Sequence, residues 1–149
     1  MSNSDEGGVS FQTTLRVKDA CLCLHVQRAA RALGRQFDEA FRPFGITNGQ
    51  FSLLMSLNRP EPPPMGPVAE LLAMDRTTLT AALKPLERRG FVKMIPHPHD
   101  RRSKLLMLTA TGKQLLAKAM PVWESEHAKL DELLHGDAAS LRRMLNEIL

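Results

Sequence analysis

Tyrosine is absent from the 149 residues, cysteine occurs twice and tryptophan once, and aromatic side chains make up 5% of the chain. Two cysteines exclude a disulfide-built scaffold, and without a CxxC pair no zinc site is expected. No uninterrupted apolar run approaches the roughly 20 residues that a membrane-spanning helix needs. The opening Met1-Ser-Asn-Ser-Asp-Glu also lacks the basic-then-apolar order of a secretory signal. A cytoplasmic protein with no membrane partner is expected. Also missing are a glycine-rich phosphate loop, a serine in a nucleophile-elbow setting and the histidine–carboxylate spacing of metal hydrolases. An enzyme is therefore not expected, nor a metal, nor a cofactor.

What the chain does have is a globular composition, 43% hydrophobic and 24% charged, over a length that suits one domain. Its charge is unevenly placed. Between Gly66 and Lys104 eight basic residues face four acids, while the rest of the chain balances at 12 against 12. All of the net +4 thus lies in one central segment, the pattern expected if that segment meets a polyanion.

The first ten residues are small, polar and glycine-containing, and read as a loose tail. From Asp19 the positions Leu22, Val26, Ala29, Leu33, Phe37, Phe41 and Phe44 recur at helical steps, predicting one long helix. Thr47 followed by Gln50 predicts a capping box for a second helix through Leu57. Pro60 to Pro64 form a stiff connector. A short helix over Val68 to Leu72 then precedes Asp75, the cap of a helix that Gly90 stops and Pro85 disturbs. Phe91–Ile95 and Leu105–Leu108 read as two strands around a polar, basic tip. Thr109 caps a long helix with Leu115, Leu116, Ala119, Trp123 and Leu130 on one face, and Asp137 caps a terminal helix carrying Leu141, Leu145 and Ile148.

The fold class is mainly α with a small β-hairpin: two short helices, a tight turn and a basic hairpin compose a winged helix-turn-helix. The second helix of such a unit enters a major groove about 12 Å wide. Arg76, Thr77, Thr78 and Thr80 gather at its amino end, Lys84 and Arg88 continue along it, and Arg101, Arg102 and Lys104 belong to the wing. Scattered surface charge is the plain alternative. Charge localisation, element order and the hydroxyl-rich helix start together favour an interface with double-stranded DNA.

Those residues also carry a family resemblance. Asp100-Arg-Arg-Ser-Lys-Leu-Leu-Met-Leu-Thr-Ala-Thr-Gly112 resembles the wing signature of the MarR family of bacterial transcriptional regulators, an Asp-x-Arg followed by Leu-Thr-x-x-Gly. Met74 to Val92 is similar to the family's recognition helix and first wing strand, and Gly45-Ile-Thr47 to the start of its second helix. The resemblance implies a homodimeric repressor on a palindromic site, with Arg102 in the minor groove and Asp100 orienting it by a salt bridge. It also implies a layout with residues 1–15 as a disordered tail and 16–149 as one domain. In that layout the DNA-binding lobe spans about 47–109 and dimerisation helices span about 19–44 and 110–149.

Two switches are open. By the same resemblance a small aromatic or anionic effector would release the DNA, lined by His25, Gln50, Phe51 and Trp123. Arg28, Arg31 and Arg35 lie opposite the apolar stripe, consistent with an anion and also with a solvated face. The alternative is a peroxide-responsive thiol. Cys23 falls where the family's organic-hydroperoxide sensors carry their reactive cysteine, although those sensors hold it with tyrosines and this chain has none. Cys21 and Cys23 on one helix would point about 200° apart and could not readily bridge. Further readings are a thiol peroxidase using Cys23 and a helical interaction module. At the wing tip, protonation of His97 and His99 would add positive charge near phosphate.

Overall fold

Caps and left-handed turns punctuate the chain, which the computed structural model describes over residues 7–149. It divides into two compact units between Gln36 and Phe37. In the first, α1 (Phe11–Ala20) begins at Ser10, whose hydroxyl accepts the Thr13 amide at 3.2 Å. The expected tail to residue 15 is thereby corrected, because this cap makes residues 11–15 helical; residues 1–6 lie outside the described part. Cys21 is extended (φ −73°, ψ 105°) and separates α1 from α2 (Leu22–Phe41), so the single helix expected from Asp19 is broken. None of residues 7–36 is buried, and Val9, Phe11, Val17, Leu22 and Leu33 are exposed.

The second unit opens on the last turns of α2, where Phe37 and Phe41 are buried. A 3-10 turn (Arg42–Phe44) containing Pro43 ends at Gly45, whose φ of 68° favours glycine. The capping box then starts α3 (Asn48–Ser56): Thr47 Oγ1 accepts the Gln50 amide at 3.2 Å, and Gln50 Oε1 accepts the Thr47 amide at 3.0 Å. Asp38 Oδ1 also accepts the Asn48 backbone and side-chain N–H groups, both at 2.7 Å. These bonds, the backbone one foremost, hold the Asp38 carboxyl below its ordinary range.

α4 (Met65–Leu71) begins three residues before the expected Val68, because Pro67 fits the first helical turn, where an amide has no partner to lose. Ala73 closes the following turn in the left-handed region, φ 51°, with the Met74 amide bonded to Ala69 O at 2.9 Å. α5 (Arg76–Arg88) follows and continues through Pro85. The wing is β1 (Val92–Pro96) antiparallel to β2 (Lys104–Leu108), with Val92 opposite Leu108 and Pro96 opposite Lys104. Each strand differs by one residue from its expected start. α6 (Ala110–Leu133) is capped by Thr109 and carries Pro121, and α7 (Ala138–Asn146) ends the unit. Asp137 precedes α7 without a side-chain bond to it, which corrects the cap expected there. Helix, turn, helix and hairpin form a winged helix-turn-helix.

Leu79, Leu83 and Leu86 of α5, Val68 of α4, Leu54 of α3 and Leu106 of β2 are fully buried in one apolar core. Each such side chain contributes about 1.5–3 kcal/mol. The proline connector adds a third edge to the hairpin: Pro63 O accepts the Leu106 amide at 2.8 Å, and Pro64 bridges Leu105. Proline cannot donate but accepts well, so a segment excluded from the centre of a sheet still closes an edge.

Gly112, in the first turn of α6, is buried against the carbonyl of Phe91. An added Cβ would collide with that oxygen and approach Leu108 Cδ1 at 2.7 Å. Gly112→Ala is expected to destabilise the fold by about 1–3 kcal/mol, despite alanine's better helix propensity. Urea unfolding of the two proteins measures it, and an unchanged or raised midpoint would contradict this packing.

Candidate nucleic-acid interface

The candidate surface is the exposed part of α5 together with the wing. Leu79, Leu83 and Leu86 turn inward, which leaves Thr77, Thr78, Thr80, Lys84 and Arg88 exposed on the remaining faces. Asp75 fixes where that helix starts: its Oδ1 accepts the Thr78 amide at 2.7 Å. That amide, with a lesser contribution from the Thr78 hydroxyl, holds the Asp75 carboxyl below the usual aspartate range. Thr80 Oγ1 donates to Arg76 O at 2.7 Å, so its proton is engaged and it meets a partner as an acceptor. Arg76 folds toward α4, its Nη2 within 3.5 Å of where a Cβ on Gly66 would stand.

The wing tip is a compact turn. The His97 amide donates to Ser103 O at 3.2 Å, and the Ser103 amide to Asp100 O at 3.1 Å. His97 Nδ1 accepts the His99 amide at 3.1 Å. Asp100 Oδ1 accepts the Arg102 backbone amide at 3.0 Å, and no ion pair joins the two side chains. The expected salt bridge is corrected accordingly: the carboxylate folds back on the amide two residues ahead, the usual aspartate turn, and holds the backbone rather than the guanidinium. Arg101 and Arg102 are both exposed.

Between the wing and the two helices lies an open cleft of about 560 Å³, lined among others by Met65, Arg76, Thr80, Met94, Arg102 and Lys104. Among the described residues the ion pairs are Lys18–Asp19, Arg42–Glu39 and Lys129–Glu126. None involves Arg76, Lys84, Arg88, Arg101, Arg102 or Lys104. Arg76, Thr80, Arg102 and Lys104 therefore meet in one cleft, and all six cations are exposed with no protein carboxylate paired to them.

Of the other sequence candidates, Phe51 and Trp123 come together within the second unit. Phe51 and Trp123 line an apolar cavity of about 350 Å³ with Met55, Leu71 and Met120. The Gln50 side-chain oxygen is taken by the capping box, and His25 lies on α2 in the first unit, its Nδ1 2.8 Å from Cys21 O. Two residues escaped the sequence reading. His127 packs at a tilt against Trp123, ring centroids 4.0 Å apart, and against Phe37 at 4.9 Å. Its i, i+4 spacing from Trp123 is the signal that could have found it. Arg89 donates through Nη1 to Gly45 O at 2.7 Å across 44 residues of sequence, which no local pattern announces. Cys23 is exposed and its Sγ accepts from Gln27 Nε2 at 3.1 Å, while Cys21 is half-buried. Cys21 is extended, so the two thiols do not lie on one helix as expected.

Comparison with known proteins agrees with this geometry. The MarR family profile matches residues 46–104, the second helix through the wing. The organic hydroperoxide resistance transcriptional regulator of Bacillus subtilis is 30% identical over 101 residues, covering 68% of this chain and 69% of that one. The chain belongs to the MarR family. Among solved MarR-like structures, the transcriptional regulator MosR of Mycobacterium tuberculosis in complex with DNA is 37% identical, with a TM-score of 0.79 over 86% of this chain and 92% of that one. A mutant MarR of Escherichia coli complexed with operator DNA superposes with a TM-score of 0.80 at 25% identity, over 89% and 96%. The chain spans 57% of the length of two of the curated relatives that it matches. No described helix is long and apolar enough to cross a membrane.

The Asp75 cap generates a pH prediction. A carboxyl whose folded-state value is depressed contributes fully above the ordinary aspartate range and loses its contribution as pH falls through the lower, folded value. The Thr78 amide resonance should therefore keep its folded position below the pH at which a free aspartate titrates, and shift only on further acidification. In Asp75→Asn, an uncharged cap, that acid shift should vanish. Titration of Thr78 at the free-aspartate pH would show that the bond is not formed.

Proposed function

We propose that this MarR-family chain is a dimeric, sequence-specific DNA-binding repressor of the bacterial cytoplasm, seated on a palindromic operator and released by a small-molecule effector. The observation that carries DNA binding is that six cations of α5 and the wing are exposed and paired with no carboxylate, three of them gathered with Thr80 in one cleft. In the reading, Lys84, Arg88, Arg101, Arg102 and Lys104 meet phosphates and a narrow minor groove, Thr77 and Thr78 meet base edges or nearby phosphates, and Thr80, as an acceptor, meets a donor on a base edge. Asp100 shapes the turn that presents Arg102.

Dimerisation is supported by apolar surface that the single chain leaves uncovered. In the first unit Phe11, Val17, Leu22 and Leu33 are exposed; in the second, Leu133, Leu141, Met144, Leu145 and Ile148 are. Helices that expose this much apolar area want a partner, and a second copy gives the two-fold symmetry that a palindrome requires.

Selection from random duplexes at two salt concentrations tests the reading. An enriched palindrome is expected, with Arg102→Ala weakening its capture and lowering the slope of log K against log salt by about one. Replacing Thr78 or Thr80 should change the preferred sequence more than the slope. Failure to enrich any sequence would overturn it. Running the selection on hydroperoxide-treated protein tests the second reading, a thiol switch, which the exposure of Cys23 favours; capture unchanged by oxidation would discard it.

The effector reading rests on the apolar cavity beside Trp123, with Phe51, Met55 and Met120 as walls. Because Trp123 is the chain's one tryptophan, a small aromatic acid that releases DNA should also quench its fluorescence saturably. Release without quenching would place the effector elsewhere.

A further inference from the structure

Adjacent arginines at the end of α5 differ in what they touch. Arg88 is exposed, and among the described residues it makes no ion pair or side-chain hydrogen bond. Arg89 turns away from the threonine face. Its Nη1 donates to Gly45 O at 2.7 Å, and its guanidinium lies over the Phe91 ring, 4.8 Å from the centroid. Gly45 is shaped to receive it: the φ of 68° follows the 3-10 turn that ends α2, and a Cβ there would stand 3.1 Å from Arg89 Nη2. One side chain therefore joins three pieces of the second unit, namely the carboxyl end of α5, the turn after α2, and the start of the wing. A guanidinium suits this because it donates in a fixed plane while its face stacks on a ring, and because a cation is favoured at a helix carboxyl end.

We propose that Arg89 is a positioning residue for DNA recognition, holding α5 at a set angle to the turn after α2 and making no phosphate contact of its own. The inference rests on the DNA-binding reading. Its consequence is selective. A random duplex offers phosphates in every register and tolerates a small rotation of α5, whereas a palindrome demands that two recognition helices reach half-sites about 34 Å apart together. Loosening the tie should then cost affinity on the palindrome alone.

The test measures binding of full-length wild type, Arg89→Ala, Arg89→Lys, Arg88→Ala and Phe91→Leu to the selected palindrome and to a random duplex, each across a salt series. Arg89→Ala should lose about tenfold on the palindrome, the scale of one charge-assisted hydrogen bond, with its salt slope and random-duplex affinity unchanged. Arg89→Lys, which keeps a donor but not the flat stack, should recover part of the loss. Arg88→Ala should instead lower the slope by about one on both duplexes. A thermal midpoint for each variant separates loosening from unfolding; if Arg89→Ala does not fold, Arg89→Lys and Phe91→Leu carry the test, each with a smaller loss confined to the palindrome. Undiminished palindrome binding by the folded Arg89 variants would overturn the proposal, as would a slope reduced on both duplexes, which would make Arg89 a phosphate contact. Wild type that binds neither duplex would remove the DNA-binding reading itself, and the proposal with it.

Discussion

The carbonyl of Phe91 is the point on which the second unit depends. It sits between α5 and the wing, and it accepts both the Thr109 amide at 3.0 Å and the Thr109 hydroxyl at 3.1 Å. The same hydroxyl reaches Gly90 O at 2.6 Å and accepts the Gly112 amide at 3.1 Å. One threonine thus ends the turn after α5, closes the wing behind Leu108 and caps α6. The close approach is sterically possible only because position 112 has no side chain. A Leu-Thr-x-x-Gly run is accordingly a physical requirement of this corner: leucine fills the core, threonine supplies the oxygen, and glycine admits the carbonyl.

From that corner the functional surface follows. α5 is anchored by three buried leucines, by its Asp75 cap at one end and by residues 89–91 at the other. Its exposed face is left to carry polar chemistry. The wing tip is similarly self-sufficient. The backbone bond from His97 to Ser103 and the bond from the Arg102 amide to the Asp100 carboxylate hold the turn, so the arginine side chains are not needed to maintain its shape. The atoms that hold these segments in shape are thus distinct from the exposed side chains that they carry.

Much of this was legible in the sequence because it is local. The capping box at Thr47 and Gln50, the Asp75 cap, the stop at Gly90 and the cap at Thr109 are each written within four residues, and the structure contains all of them. Legibility failed where a local signal had a non-local competitor, or none. Asp137 has the chemistry of a cap but makes no side-chain bond to α7. Asp100 and Arg102 have the charges of an ion pair, yet the nearer backbone amide takes the carboxylate. The break at Cys21 carries neither glycine nor proline. Pro63 and Pro64 have the local character of a connector, and their pairing with β2 depends on where a hairpin forty residues later comes to lie. The Arg89–Gly45 bond has the same character: adjacent arginines look alike in a sequence, and only the fold gives each its partner.

The unpaired state of the basic face is itself inexpensive. An exposed ion pair contributes at most about 1 kcal/mol, so leaving Lys84, Arg88, Arg101, Arg102 and Lys104 without carboxylates forfeits little folding stability. The effect on an anionic partner is much larger. Each carboxylate placed beside these cations would have to be displaced before a phosphate could take its position, and counterions rather than protein groups now hold those positions. Their release into solution favours association, and more strongly as salt is lowered. The four acids between Gly66 and Lys104 show how this is kept consistent with folding. Two of them, Asp75 and Asp100, are turned onto backbone amides, where they cap α5 and shape the wing tip. These two carboxylates hold the helix and the turn that present the positive charge.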